Sequence, residues 1–273
     1  MMKESRSEKH RRMGMEYIAK GAWPEICGEK NTKLLKTARA YELHTGIPAV
    51  CGGFGLPAVV TCPGARDCIR GCYATKGNYG YQNIVKRLGA NLHGLGTTKQ
   101  SATIAICRAL KSWYDRNRKP MASTYLLRIH DSGDFFSQYY LDAWTQSIKA
   151  FVGAVDSKHT FIAYGYTKSL HLDFTEFLSL DCVKFVQSMG GKYQVDFDYG
   201  VAAIVPKGSV ISGEWIDANN DDSIMDLGVI LGHKKIALEY HGSGDGSQWP
   251  TTEQIDQGIT VQDTRLITIG SRS

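Results

Sequence analysis

Apolar and polar positions along this chain change their period near the middle. Up to residue 119, apolar side chains recur at intervals of three and four, the signature of amphipathic helices. "TKLLKTARAYEL" (32–43) and "YQNIVKRLGANL" (81–92) carry it, the second with Ile84, Leu88 and Leu92 four apart. The clearest helix is "TKQSATIAICRALKSWYDRNRK" (98–119). Ile104, Cys107, Leu110 and Trp113 share one face, Thr97 or Thr98 can cap the start, and the last turn is basic, as the helix dipole favours. Cys107 on that face reads as a small core residue.

From residue 123 the pattern alternates. "STYLLRIH" (123–130), "HTFIAYGY" (159–166), "CVKFVQSM" (182–189), "GVAAIVP" (200–206) and "KKIALEYH" (234–241) are short apolar runs of buried-strand type. Helical stretches separate the earlier ones: "SQYYLDAWTQSIKAFV" (137–152), with Ser137 as its N-cap, and "DFTEFLSL" (173–180). This rhythm predicts an α/β fold of parallel strand–helix repeats, as an open sheet or a partial or modified (β/α) barrel. Either form puts chemistry at the C-terminal ends of the strands. "HTGIPAVCGGFGLPAVVTCPGA" (44–65), punctuated by glycine and proline, reads as a loop-rich approach.

The 273 residues suit residues 1–30 as a flexible basic segment and 31–273 as a single α/β domain, with a cysteine-cluster loop at 51–80 and a variable part from about 200. No run is apolar enough to span a membrane, and no apolar stretch follows the charged N-terminus as a secretory signal would require. The expectation is a cytoplasmic protein. A net charge of +5 permits an anionic ligand or a nucleic-acid partner, but falls short of a dedicated DNA-binding domain.

Candidate chemistry begins with cysteine. Seven is an odd number, and a reducing compartment disfavours disulfides. Cys62, Cys68 and Cys72 stand close together with five and three residues between them. Three thiols on a tight loop suit a metal. Structural zinc wants a fourth ligand, and no histidine follows until His93; a cluster with one open iron does not need one. The second constellation is "RIHDSGDFFS" (128–137), where His130, Asp131 and Asp134 stand at a strand end and Gly133 permits close approach to a ligand. The third is "GYTKS" (165–169), where Thr167 and Lys168 suit a carboxylate or phosphate. Walker, GxGxxG and GxSxG patterns are missing from the sequence. "DANNDDSIMD" (217–226) lacks the glycine and closing glutamate of a calcium loop. "YHGSGDGSQWP" (240–250) reads as an exposed loop, with His241 and Asp245 solvated.

Taken together, "LPAVVTCPGARDCIRGCYATKGNY", "LRIHDSGDFFSQYYLDAW" and "FIAYGYTKS" resemble the phage- and plasmid-borne gene product 88 family, from about Asn31 to about Ser188. That resemblance implies a bacterial host and names no function. More distantly, a cysteine triad ending in Cys-Tyr-Ala, then a strand ending in small and acidic residues, then a strand ending near Thr-Lys, is similar to radical S-adenosylmethionine (SAM) enzymes. The resemblance implies that Cys62, Cys68 and Cys72 bind a four-iron, four-sulfur cluster open to SAM. It makes Ser132, Gly133 and Asp134 the SAM-binding turn, with Thr167 and Lys168 on the same rim. The usual intervals in that superfamily are three and two, against five and three here. Asp131, Asp134 and Lys168 are the candidate catalytic groups, on an unknown substrate. Two alternatives stand beside this reading. One is a zinc-containing barrel enzyme exchanging nucleic-acid bases, with Asp131 or Asp134 as nucleophile. The other is a non-enzymatic, metal-stabilised accessory protein.

Overall fold

The computed structural model describes residues 4–28, 31–211, 213–218, 222–240 and 246–258. In chain order its elements are α1 (Arg6–Ala19), α2 (Thr32–Thr45), β1 (Ala49–Phe54), α3 (Cys68–Gly71), α4 (Gln82–Gly94), α5 (Lys99–Asn117), β2 (Ser123–Ile129), α6 (Gln138–Val152) and β3 (His159–Thr167). Then follow α7 (Thr175–Leu178), β4 (Val183–Ser188), β5 (Val201–Val205), β6 (Ile216–Asp217), α8 (Asp222–Ile230), β7 (Lys235–Glu239) and α9 (Thr252–Asp256). Local chemistry sets several boundaries. The Asn31 side chain accepts from the Lys33 amide at the start of α2, and Thr98 forms a reciprocal cap with Ser101 at the start of α5.

The strands form one seven-stranded sheet in the order β1-β2-β3-β4-β5-β7-β6, parallel at every pairing. It curls into a half-barrel with interleaved helices, an α/β fold. Every residue of β2 is buried, as a parallel strand covered on both faces requires. Its alternation divides the core. Tyr125, Leu127 and Ile129 pack with Trp113 of α5 and Trp144 of α6. Leu126 packs with Leu34 of α2, Tyr164 of β3 and Met225 and Val229 of α8. Side chains of this size, once buried, contribute on the order of 2 kcal/mol each.

The side taken by α8 follows from strand order. Right-handed crossovers keep helices on one face while the sheet grows in one direction. From β6 back to β7 the direction reverses, so the same handedness carries α8 to the opposite face, beside α2.

Four features differ from the sequence expectations. Residues Arg6–Ala19, inside the segment expected to be flexible, form a helix packed along α4, with His10 and Met13 buried. Strand β1 lies within the stretch read as loop-rich; its two glycines dilute strand propensity, and parallel pairing with β2 supplies what local preference lacks. The buried face of α5 keeps Leu110 and Trp113, as expected, but Cys107 is only half-buried and the face extends to other positions. Ala102, Ala105, Ile106, Ala109 and Leu110 face inward and Ile104 is exposed, because small alanines let α5 approach α6 closely. Ser137 takes the N-cap position of α6 without accepting a cap hydrogen bond. The readings at His241 and Asp245 lie outside the described residues.

Candidate functional site

The rim is shaped where β2 ends. The His130 amide donates to the Phe54 carbonyl at 2.8 Å, and His130 itself adopts a left-handed backbone with φ 66°. A histidine in that region is strained, and such strain persists only where surrounding contacts hold it. The chain then folds back over the sheet end. Ser132 Oγ donates to the Leu56 carbonyl at 2.7 Å, and the Leu56 amide donates to the Ser132 carbonyl at 2.8 Å. Gly133 turns with φ 82°, and a Cβ there would lie 2.6 Å from both Leu56 Cβ and Thr61 Oγ1, so only glycine fits. Asp134 ties the β2 end to the β3 end. Its carboxylate accepts from the Phe135 amide, Thr167 Oγ1 and the Lys168 amide, each at 2.8 Å.

The cysteine loop seats on this rim. A Cβ on Gly64 would overlap the Lys168 carbonyl oxygen, so the loop backbone lies directly against the β3 end. Ala65 bridges Gly191 in antiparallel fashion, flanked by Asp67 N–H to Gly190 O at 3.0 Å and Lys192 N–H to Gly64 O at 2.8 Å. The five-residue interval between Cys62 and Cys68 is thus the length that reaches the segment after β4. In the three-residue interval, the short helix α3 carries Cys68 at its start and leads into Cys72. Tyr73, next to Cys72, donates to the Asp131 carbonyl at 2.6 Å, and Tyr79 donates to the same oxygen at 3.3 Å.

These contacts enclose a cavity of about 550 Å³ at the C-terminal ends of the strands. Cys62, Cys68, Cys72, Ser132, Gly133, Asp134, Thr167 and Lys168 all line it. Asp131 does not. The left-handed turn at His130 sends it into a second cavity of about 790 Å³, beside Cys27, Tyr79 and Arg87. Most of the side-chain oxygens on the rim serve the fold. Ser132, Thr167 and Asp134 bond the protein itself, and Lys168 Nζ donates to Ser188 Oγ.

Arg128 also lines the cavity, although no candidate role had been given to it. Arg128, next to the last residue of β2, donates from Nη1 to both oxygens of Asp226 on α8, at 3.0 and 2.9 Å. Tyr164, Tyr166 and Thr37 donate to the same carboxylate, at 3.1, 2.8 and 3.2 Å. The signal was an arginine inside an otherwise apolar strand, since a charge there must be paired. His130, read with Asp131 and Asp134 at the strand end, is also among the cavity residues, and its Nε2 lies 2.9 Å from the Tyr140 hydroxyl.

Burial dominates the electrostatics. It pushes the Cys62 thiol up to about 12 and raises that of Cys72, and the neighbouring thiols reinforce both shifts. It lowers His130 to about 3, so the imidazole is neutral at physiological pH. Burial also raises Asp134, against the opposing effect of its three hydrogen bonds, and Asp131, against the charges of Arg87, Arg128 and Lys33. Among the described residues, no three His, Cys, Asp or Glu side chains form a ready-made site for one metal ion. Nor is any helix among them long and apolar enough to cross a membrane.

A parallel half-barrel with a thiol-walled cavity at the strand ends defines an α/β protein whose site is assembled from loops on a rigid sheet. The chain belongs to the Gene product 88 family, whose model matches residues 25–234. No curated protein and no solved structure matches it. The more distant likeness to radical SAM enzymes has no counterpart among these matches.

Proposed function

We propose that the chain binds a four-iron, four-sulfur cluster through Cys62, Cys68 and Cys72 and takes S-adenosylmethionine in the cavity beside it. One observation carries this reading: the three thiols share a single cavity with Ser132–Asp134 and Thr167–Lys168. The donor set fits the group. Three soft thiols line one cavity, and its volume leaves room for a ligand to complete the coordination once the loop gathers them round the group. The volume falls in the range of small-molecule and cofactor sites. When bound, such a cluster supplies one-electron reducing power.

The chain's own residues do the rest. Gly133 lets the turn pack directly against Leu56 and Thr61, which fixes the rim of the cavity. Asp134 ties the two strand ends together through its hydrogen bonds from Thr167 and the Lys168 amide. Lys168 places a cation on the cavity wall near Cys72. Burial holds the protons on Cys62 and Cys72 until a metal displaces them, so loading would release protons.

The test is elemental analysis of protein purified anaerobically. The expected result is brown protein with about four irons and as many sulfides per chain. Serine at Cys62, Cys68 or Cys72 should remove most of the iron, and SAM should perturb the cluster's spectrum. Colourless, iron-free protein after anaerobic reconstitution overturns the proposal. One tightly held zinc in its place supports the alternative of a zinc-stabilised protein.

A further inference from the structure

The outer side of the cysteine loop carries cations that no carboxylate holds. Arg66, Lys76 and Lys192 are exposed, and none of them makes an ion pair among the described residues. Elsewhere on the surface Lys111, Arg118 and Lys149 are each paired with a carboxylate. Part of the difference is written in the sequence: residues 68–114 contain seven Lys and Arg and no Asp or Glu.

Backbone contacts gather these cations. Ala65 bridges Gly191, and the Lys192 amide donates to the Gly64 carbonyl at 2.8 Å, so Arg66 and Lys192 stand on facing segments. Ala65 lines the cavity, and the alternation of an extended pair turns Arg66 and Lys192 the other way, into solvent. Lys76 closes the turn that begins at Tyr73, its amide donating to the Tyr73 carbonyl at 3.0 Å. Arg6 reaches the same turn from α1: its Nη2 donates to the Ala74 carbonyl at 3.3 Å.

Two tyrosines flank this charge. Tyr73 lines the cavity and is 55% exposed, so its ring stands at the mouth, with Tyr79 edge-on at 5.9 Å. Tyr193, next to Lys192, stacks one face on His171 at 5.0 Å and is 40% exposed. Half-open aromatic rings beside unpaired cations take bases by stacking and phosphates by charge. Asp67, the one carboxylate of the loop, is half-buried against the cavity. Asp196 and Asp198 lie beyond Tyr193, where the Asp198 carbonyl accepts from Lys234.

We propose that the face formed by the cysteine loop, residues 73–76 and residues 191–193 binds single-stranded nucleic acid. Phosphates run past Arg66, Lys192, Lys76 and Arg6, and bases stack on Tyr73 and Tyr193. Paired bases cannot reach the rings, so a duplex binds more weakly. Backbone hydrogen bonds to residues 190–192 hold the loop, so this face stands or falls separately from the cluster.

The experiment is fluorescence anisotropy with the full chain and labelled strands of roughly twelve nucleotides, oligo-dT and oligo-U, beside the duplex of oligo-dT with oligo-dA. At about 50 mM salt at least one single strand should bind with a Kd on the order of 10 μM. Preference for the DNA or for the RNA strand shows which sugar the face favours; either supports the proposal. The logarithm of affinity should fall with the logarithm of salt with a slope of about −2 to −3, since each phosphate contact adds about 0.7. Changing Arg66→Gln, Lys76→Gln and Lys192→Gln together should flatten that slope by about 2. Tyr193→Ala should weaken binding by about tenfold, and Tyr193→Phe should stay within about threefold of the parent. These four side chains are exposed, so the variants keep the fold, which circular dichroism checks. Three results overturn the proposal: no saturation of either strand by about 200 μM protein, a duplex bound as tightly as the single strands, or Tyr193→Ala binding as the parent does. Polyacrylate competing as well as unlabelled oligo-dT also overturns it, because the face then attracts any polyanion.

Discussion

His130 shows how one side chain ties conformation to charge. Its backbone is left-handed, its ring is buried, and its imidazole is held neutral down to about pH 3 against an ordinary 6.5. The unfolded chain therefore binds a proton that the fold refuses. The stability this contributes is fully present above about 6.5 and is lost as pH falls from there toward 3. Asp131 and Asp134, both pushed up by burial, act with the opposite sign, so a variant comparison is needed to isolate the histidine. Between pH 7 and pH 4 the parent should lose up to about 3 kcal/mol that His130→Asn does not, read from urea midpoints at the two pH values. At this scale the sequence was partly legible. A glycine between acids marked a turn, but nothing local showed that Asp131 and Asp134, three apart, would face different cavities. The left-handed residue before them decides that.

Between elements, two joints hold the site. The first seats the cysteine loop on β3, where Gly64 meets the Lys168 carbonyl. Gly64→Ala forces a methyl into that oxygen and should cost about 1–3 kcal/mol. It should also speed alkylation of Cys62, whose thiol burial now holds up at about 12. Urea titration and mapping of iodoacetamide adducts at about pH 7.5 check both. The second joint is the buried pair of Arg128 on β2 and Asp226 on α8. Asp226→Ala strands a buried guanidinium and should cost about 3–5 kcal/mol. Combining Arg128→Met with Asp226→Leu should recover most of that, because two well-packed apolar side chains replace a desolvated pair. Denaturant midpoints of the single and double variants distinguish these outcomes. The arginine alone announced a missing partner. Its identity could not be read locally, because the partner lies 98 residues away.

For the whole molecule, the helix pattern from residue 32 and the strands from 123 onward were legible because period and burial agree there. The N-terminal helix was not, since a polar, charged sequence with few apolar positions carries a weak periodic signal. Docking on α4 buries Met13 and His10. Removing residues 1–20 should therefore cost about 2 kcal/mol and lower Tm by roughly 4–8 °C, measured by scanning calorimetry. By itself, the sequence determined the alternation of strands and helices, the three clustered thiols and the two polar strand ends, because each is written in neighbouring residues. Only the tertiary structure decided that these share a cavity, that Asp131 leaves it, and that Arg128 and His130 join it. Parallel register and crossover handedness bring distant strand ends to one rim, and those are properties of the packed sheet.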